Sequence, residues 1–429
     1  MTTDGPADRR EASRRVAAFC SRARASGSLS PRAHPESLPV GALLTALVAL
    51  GQISTSIYIP SMPSIVVDLA TTPDRVNLTL SGFLLGFALC QMVFGPISDR
   101  FGRRPVLFVG LGSYLAASLL CTFAAGIGML IAARVLQGMA ACAGPVLGRA
   151  IVRDIYGPSR TAAAMAYIGA ALAISPAVAP IIGGYLQVWF GWRAAFVFLT
   201  VVGALIFVAT WLLLAETNPR DRRSEHDGPG LLNACATLLR DRRYLGYTLV
   251  VAFVFAGLMA FGAGGPFVFI DLLGLSPEHY GMLSIFTVAA YLAGSLAAGR
   301  LADRLALHRL VLLGITGALA GGGAMVAMAA LAPPSVVGVV APMALFTAGL
   351  GVALPVGIAG AMAPFPRIAG AASALMGFVQ MLIAAGASLA VGVLPHGSAL
   401  PMATVVAAGA AAALLSFTTL VLPARRRSH

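Results

Sequence analysis

Apolar residues run along this chain in long unbroken stretches, not in alternation. Twelve stretches stand out, at about 40–67, 78–97, 105–125, 127–149, 161–187, 192–214, 245–270, 279–302, 308–331, 336–361, 367–393 and 399–423. Each is near the ~20 residues an α-helix needs to cross a bilayer. A transmembrane barrel is excluded, because its strands would alternate lumen-facing and lipid-facing residues. The longest polar gap, 216–244, carries Glu216, Arg220, Arg222, Arg223, Glu225, Asp227, Arg240, Arg242 and Arg243, and is expected to be nonhelical. It divides the chain into six segments plus six. The pattern predicts an all-α membrane protein in two pseudo-symmetric six-helix bundles. Its parts are a disordered tail (1–39), a first bundle (40–215), a linker (216–244), a second bundle (245–424) and a short tail (425–429).

Composition agrees with that pattern. Of 429 residues, 58% are hydrophobic and 10% charged, and the mean hydropathy is +0.87. A water-soluble enzyme carries about 25% charged residues, so that class is excluded, as are disordered and fibrous chains. The net charge of +13 comes with 29 basic residues, all arginine. Nucleic-acid binding is not expected, because the arginines lie between the apolar runs. With the N-terminus inside, 26 of them fall on inner segments, and only Arg75 and Arg193 fall outside. Both termini are therefore expected in the cytoplasm. The first 39 residues hold seven arginines, and no apolar core that would make a cleaved signal peptide. Cys20, Cys90, Cys121, Cys142 and Cys235 have no ligand-like spacing and are expected as free packing residues. His34, His226, His279, His308, His396 and His429 lie in tails, loops or segment ends. No catalytic set, metal site or cofactor is expected.

The halves echo each other. The sequence Gly95-Pro96-Ile97-Ser98-Asp99-Arg100 follows the second segment, and Gly299-Arg300-Leu301-Ala302-Asp303-Arg304 follows the eighth. Both read G-x-x-x-D-R. Repeated halves of this kind build transporters with a binding site between them near the midplane. In the first copy, Gly102, Arg103 and Arg104 extend the motif. Asp99 is expected to accept hydrogen bonds from a neighbouring helix N-terminus, where the dipole favours an anion. Within the fourth segment, Arg134 shares a face with Gln137. An arginine at depth is costly unless hydrated or paired, and marks a functional site by default. The alternative, that it snorkels outward, stays open. In the fifth segment Ala171, Ser175, Ala179 and Gly183 recur every four residues, and Pro176 and Pro180 bend it. In the first, Gln52, Thr55 and Ser56 share a face, followed by Tyr58. Phe83, Phe87, Phe253, Phe261 and Phe267 are candidates for a greasy cavity.

The loop Gly95–Arg104 resembles the signature between helices 2 and 3 of the major facilitator superfamily. Leu78–Val109, Ser54–Asp68, Arg134–Met139, Arg149–Pro158 and Pro266–Met282 resemble, more narrowly, its bicyclomycin/chloramphenicol-resistance drug:proton antiporters. The likeness covers about residues 40–425 and thins after the eighth segment. It implies the major facilitator fold, multidrug or antibiotic efflux by alternating access, and drive by the proton gradient. It links Arg134 to proton coupling, Gly95–Arg104 to gating across the seam between halves, and Ala179-Pro180-Ile181-Ile182-Gly183-Gly184 to antiport. Gln52, Ser56, Tyr58, Arg134 and Gln137 are then expected to face the cavity. Gly299, Asp303 and Arg304 form a partial second gate.

One departure stands out. Such antiporters commonly carry an acid where this chain has Ser56, and no Asp or Glu falls at mid-membrane. Asp68 and Asp271, near outer helix ends, remain as secondary proton-site candidates. A neutral or anionic, phenicol-like compound then fits better than a dication. The expected partners are a small-molecule substrate, protons and the lipid bilayer of a bacterial cytoplasmic membrane, around a monomer. A metabolite permease of the same fold, or a non-transporting membrane sensor, stays open as an alternative.

Overall fold

The computed structural model describes residues 37–156, 158–218, 230–395 and 397–426. The tail to residue 36, Cys20, and Arg220, Arg222, Arg223 and Arg427 lie outside them. Among the described residues there is no strand. Among the described residues, eleven helices are long and apolar enough to cross a membrane, or twelve if one bent pair counts as a single span.

The membrane helices are numbered α1 to α12. The first six are α1 (Leu38–Asp68), α2 (Pro73–Gln91 with Phe94–Phe101), α3 (Arg103–Thr122), α4 (Ile127–Ile155), α5 (Pro158–Phe190) and α6 (Arg193–Leu213). The second six are α7 (Arg242–Leu272), α8 (Pro277–Leu301), α9 (Leu307–Leu331), α10 (Val336–Met362), α11 (Pro366–Val393) and α12 (Leu400–Ala424). Proline explains the main irregularities. The two parts of α2 bend by 43° between Gln91 and Phe94. Pro96 stands four residues past Met92, so its ring crowds that carbonyl and its nitrogen gives no hydrogen bond. In α1 the chain passes through a single 3₁₀ turn at Ile59–Ser61, which includes Pro60.

The polar gap differs from its expected form. Residues Leu231–Arg240 make a helix with Ala234, Cys235 and Leu238 buried and Leu232 and Leu239 exposed. Apolar residues at helical spacing give it a face to bury, despite the flanking charges. Other apolar residues stay uncovered: Val201, Leu205, Val208 and Leu212 leave an exposed stripe on α6, as a lipid-facing helix would.

The halves meet at two seams, α2 with α11 and α5 with α8. Close approach in the second rests on glycine. A Cβ on Gly184 would strike the Pro277 carbonyl, and one on Gly281 the Pro180 carbonyl. Ile59 of α1 reaches within 3.4 Å of the Cβ position of Gly262 on α7. The end of the bundle poor in arginine is thus shut. A Cβ on Gly370 would meet only the Arg153 guanidinium, at 4.0 Å.

Candidate functional site

Helix α4 delivers Arg134 and Gln137 to the interior of the first half, where both are fully buried. The Arg134 guanidinium lies 4.2 Å from the Tyr58 ring centre, 4.3 Å from Phe83 and 5.8 Å from Phe196. Its Nη1 donates to Gln137 Oε1 at 2.6 Å and to the Ser54 carbonyl at 3.2 Å. Gln137 in turn donates to Ser118 Oγ at 2.8 Å, and Ser54 Oγ pairs with the Tyr114 hydroxyl at 2.7 Å. The Tyr58 hydroxyl meets Thr79 Oγ1 at 3.0 Å. Five helices therefore converge on one cation. No carboxylate belongs to the network, and Arg134 Nε and Nη2 have no hydrogen-bond acceptor among the described residues. Ring faces supply the compensation instead. A desolvated cation over an aromatic face gains about 2 kcal/mol or more.

Arg134 is fully buried in the first half and does not snorkel outward in this structure. Arg134, Gln137 and Tyr58 do not line an open cavity; they lie inside the first bundle. Three aromatic rings surround the guanidinium. Phe83 is part of this box and not of a cavity wall. Gln52 and Ser56 stand apart from it. They share with Ile59 the α1 stripe that meets the second half at Gly262.

The α2–α3 loop makes a second polar cluster. Gly102 adopts φ +103°, a conformation open to glycine, and turns the chain directly into α3. Arg103, nearly buried, pairs with Asp99, donates from Nε to Asp154 at 3.0 Å and from Nη1 to Ser98 Oγ at 2.6 Å. The Glu216 carboxylate accepts the backbone N–H groups of Arg103 at 2.9 Å and Arg104 at 3.2 Å. Glu216 thus occupies the helix N-terminus expected for Asp99, and Asp99 is instead the partner of Arg103. These contacts tie α2, α3, α4 and the end of α6 together within one half and do not cross the seam. The physical reason is reach: Arg103 points back into its own bundle, where Asp154 gives a charge-assisted bond. Sequence reading missed Glu216 and Asp154 as motif partners. Asp154, five residues after Arg149 in the quoted Arg149–Pro158 stretch, was the available signal. In the second half, Gly299, Arg300, Asp303 and Arg304 are exposed.

Asp68 and Asp271 are separate sites. Asp68 accepts Trp192 Nε1 at 2.9 Å and lies 3.6 Å from Arg193. Asp271 borders a cleft of about 170 Å³ at the arginine-poor end, with Pro73, Gly264 and Ser398. In α5, Gly183 packs on the Ile57 carbonyl and Gly184 on α8, so the motif serves both an internal contact and the seam. Pro176 and Pro180 lie inside the helix.

A family model described as Major Facilitator Superfamily matches residues 44–390. The chain belongs to the Major Facilitator Superfamily. A relative named multidrug resistance protein D, from Escherichia coli (strain K12), is 34% identical over 79% of this chain and 84% of its own length. The chloramphenicol resistance protein of Pseudomonas aeruginosa is 30% identical, over 84% of this chain and 85% of its own. These bear out the resemblance to the bicyclomycin/chloramphenicol-resistance type. In fold, the crystal structure of a D-xylose-proton symporter superposes with a TM-score of 0.72 at 16% identity, over 90% of this chain and 98% of that one. The major facilitator fold, with two six-helix bundles, accounts for the paired seams α2–α11 and α5–α8.

Proposed function

We propose that this major facilitator protein exports a small amphipathic compound by alternating access in exchange for protons. The observation that carries the reading is the Arg134 box, a fixed buried cation whose partners are all neutral. An uncompensated positive field disfavours cations and tolerates neutral or anionic, phenicol-like substrates. The names of its relatives support efflux of antibiotics, and the closed arginine-poor end supports a cavity loaded from the arginine-rich side. By the distribution of arginines that side is cytoplasmic, and both termini lie on the cytoplasmic face of a bacterial inner membrane. The unit is a monomer of two bundles, with the boundaries expected from the sequence.

Arginine cannot release a proton in a protein, so the coupling group is elsewhere. Asp68 is the carboxylate that best reaches the box. Trp192, which donates to it, stands edge-on to Phe196 at 6.0 Å, and Phe196 lies against Arg134. Protonation of Asp68 weakens its pairing with Trp192 and Arg193 and frees that end of α6 to move. Asp271 is the second candidate.

The test is a drug-susceptibility panel in an efflux-deficient host, with and without a protonophore. Resistance to chloramphenicol that the protonophore removes supports the reading. Unchanged susceptibility to every compound, at verified membrane expression, overturns it.

A further inference from the structure

A second arginine lies at depth in α4, and the transport network above does not use it. Arg149 stands six residues from the end of the helix at Ile155, about 9 Å along its axis. The other faces of this stretch are taken. Gly144 and Gly148 pack on Leu47 and Val48 of α1, Ala143 meets Gly110 of α3, and Asp154 turns to Arg103. Val146, Arg149 and Arg153 remain incompletely buried, at spacings that put them on one stripe. That stripe faces the second half, because Arg153 is the group that approaches Gly370 at the start of α11. Among the described residues, Arg149 has neither an ion pair nor a hydrogen bond. Asp154 is engaged by Arg103 and Thr217 on another face, and Asp99 and Glu216 are engaged at the α3 terminus. Across the seam, the same end of the second half presents Arg300, Arg304, Arg309 and Arg367, with Asp303 exposed on its turn.

We propose that Arg149, assisted by Arg153 one turn away, binds a carboxylate or similar small oxyanion on the transported compound. A guanidinium offers two parallel N–H donors that match a carboxylate, and Arg149, incompletely buried, has no acceptor for them among the described residues. The site also has a mechanical consequence. Closing the arginine-rich end brings arginines of both halves together, and an anion between them offsets the repulsion. A ligand that interacts more strongly with the closed arrangement shifts the population toward it. The inference rests on the efflux reading and names the substrate class.

The probes are chloramphenicol, which is neutral, and its succinate monoester, which adds one carboxylate. Binding to the purified full-length protein in detergent is measured by titration calorimetry at low salt. The wild type is expected to bind the ester at least tenfold more tightly than the parent. Arg149→Gln is expected to remove that preference without weakening the parent, and Arg149→Lys to keep part of it. Equal affinities in the wild type, or equal weakening of both compounds by Arg149→Gln, would overturn the site. If Arg149→Gln lowers the melting temperature, Arg149→Lys and Arg153→Gln carry the test, and an unchanged ester preference in both refutes it. A wild type that binds neither compound refutes the anion site alone, since protonophore-sensitive resistance in cells judges efflux independently.

Discussion

At the scale of single residues, the fold concentrates one positive charge where the sequence offers no acid to balance it. Arg134 is held by rings, an amide and a carbonyl. Two expected outcomes follow for Ser56 and Arg134. Energised cells carrying the wild type should export ethidium poorly, and Ser56→Asp should raise that export by adding a negative charge on the α1 stripe. Strong proton-driven ethidium export by the wild type would place cation binding elsewhere. Arg134→Ala should cut export of every substrate, because it empties a box that five helices share; unaltered export would remove Arg134 from the mechanism. In the α2–α3 loop, Glu216→Ala leaves two N–H groups of α3 without their acceptor, at a cost of about 1 kcal/mol. Asp99→Asn should leave the protein inserted and impair transport, since Arg103 keeps Asp154 and Ser98 but loses one charged partner. Exposed Asp303 should tolerate Asn better. Matched-expression transport assays compare Asp99→Asn with Asp303→Asn, and a milder effect of Asp99→Asn than of Asp303→Asn would contradict the ordering.

At the scale of elements, small residues decide where helices touch. The α5–α8 seam closes because Gly184 and Gly281 present bare backbone to each other's helices. Gly184→Leu should therefore prop the arginine-poor end open. A cysteine placed in the cleft beside Asp271, for instance Ser398→Cys, should then label faster with an impermeant thiol reagent, and transport should fall. Unchanged labelling and transport would show the seam to be slack. The linker helix Leu231–Arg240 carries the topology test. Cys235 itself is a poor reporter, because its burial hides the thiol and pushes its pKa up, leaving less reactive thiolate. Ala236→Cys in a cysteine-free background, on the exposed side of the same helix, should be blocked only by reagents that reach the cytoplasm. Labelling from outside intact cells would invert the orientation.

At the scale of the whole molecule, the fold was open to reading because lipid imposes it. Twelve apolar runs of the right length and the duplicated G-x-x-x-D-R are local signals, and helices are what a hydrocarbon core permits. The linker helix escaped because its few apolar residues are separated by polar ones in a charged stretch. Site membership was half legible. Arg134 and Gln137 share a helix face, so their pairing follows from spacing, but their box depends on Phe83, Tyr114, Ser118 and Phe196 from other helices, which no local pattern joins. Likewise, Glu216 lies over one hundred residues from the α3 terminus that it caps. The directed arginine charge and the closed arginine-poor end combine into a single account, export of a neutral or anionic compound driven by inward proton flow. Inside-out vesicles containing the protein test that account most directly. With an imposed acidic interior, they should accumulate radiolabelled chloramphenicol, lose it on addition of a protonophore, and fail to accumulate it with Asp68→Asn. Accumulation that is indifferent to the proton gradient, or driven by the opposite gradient, would contradict it.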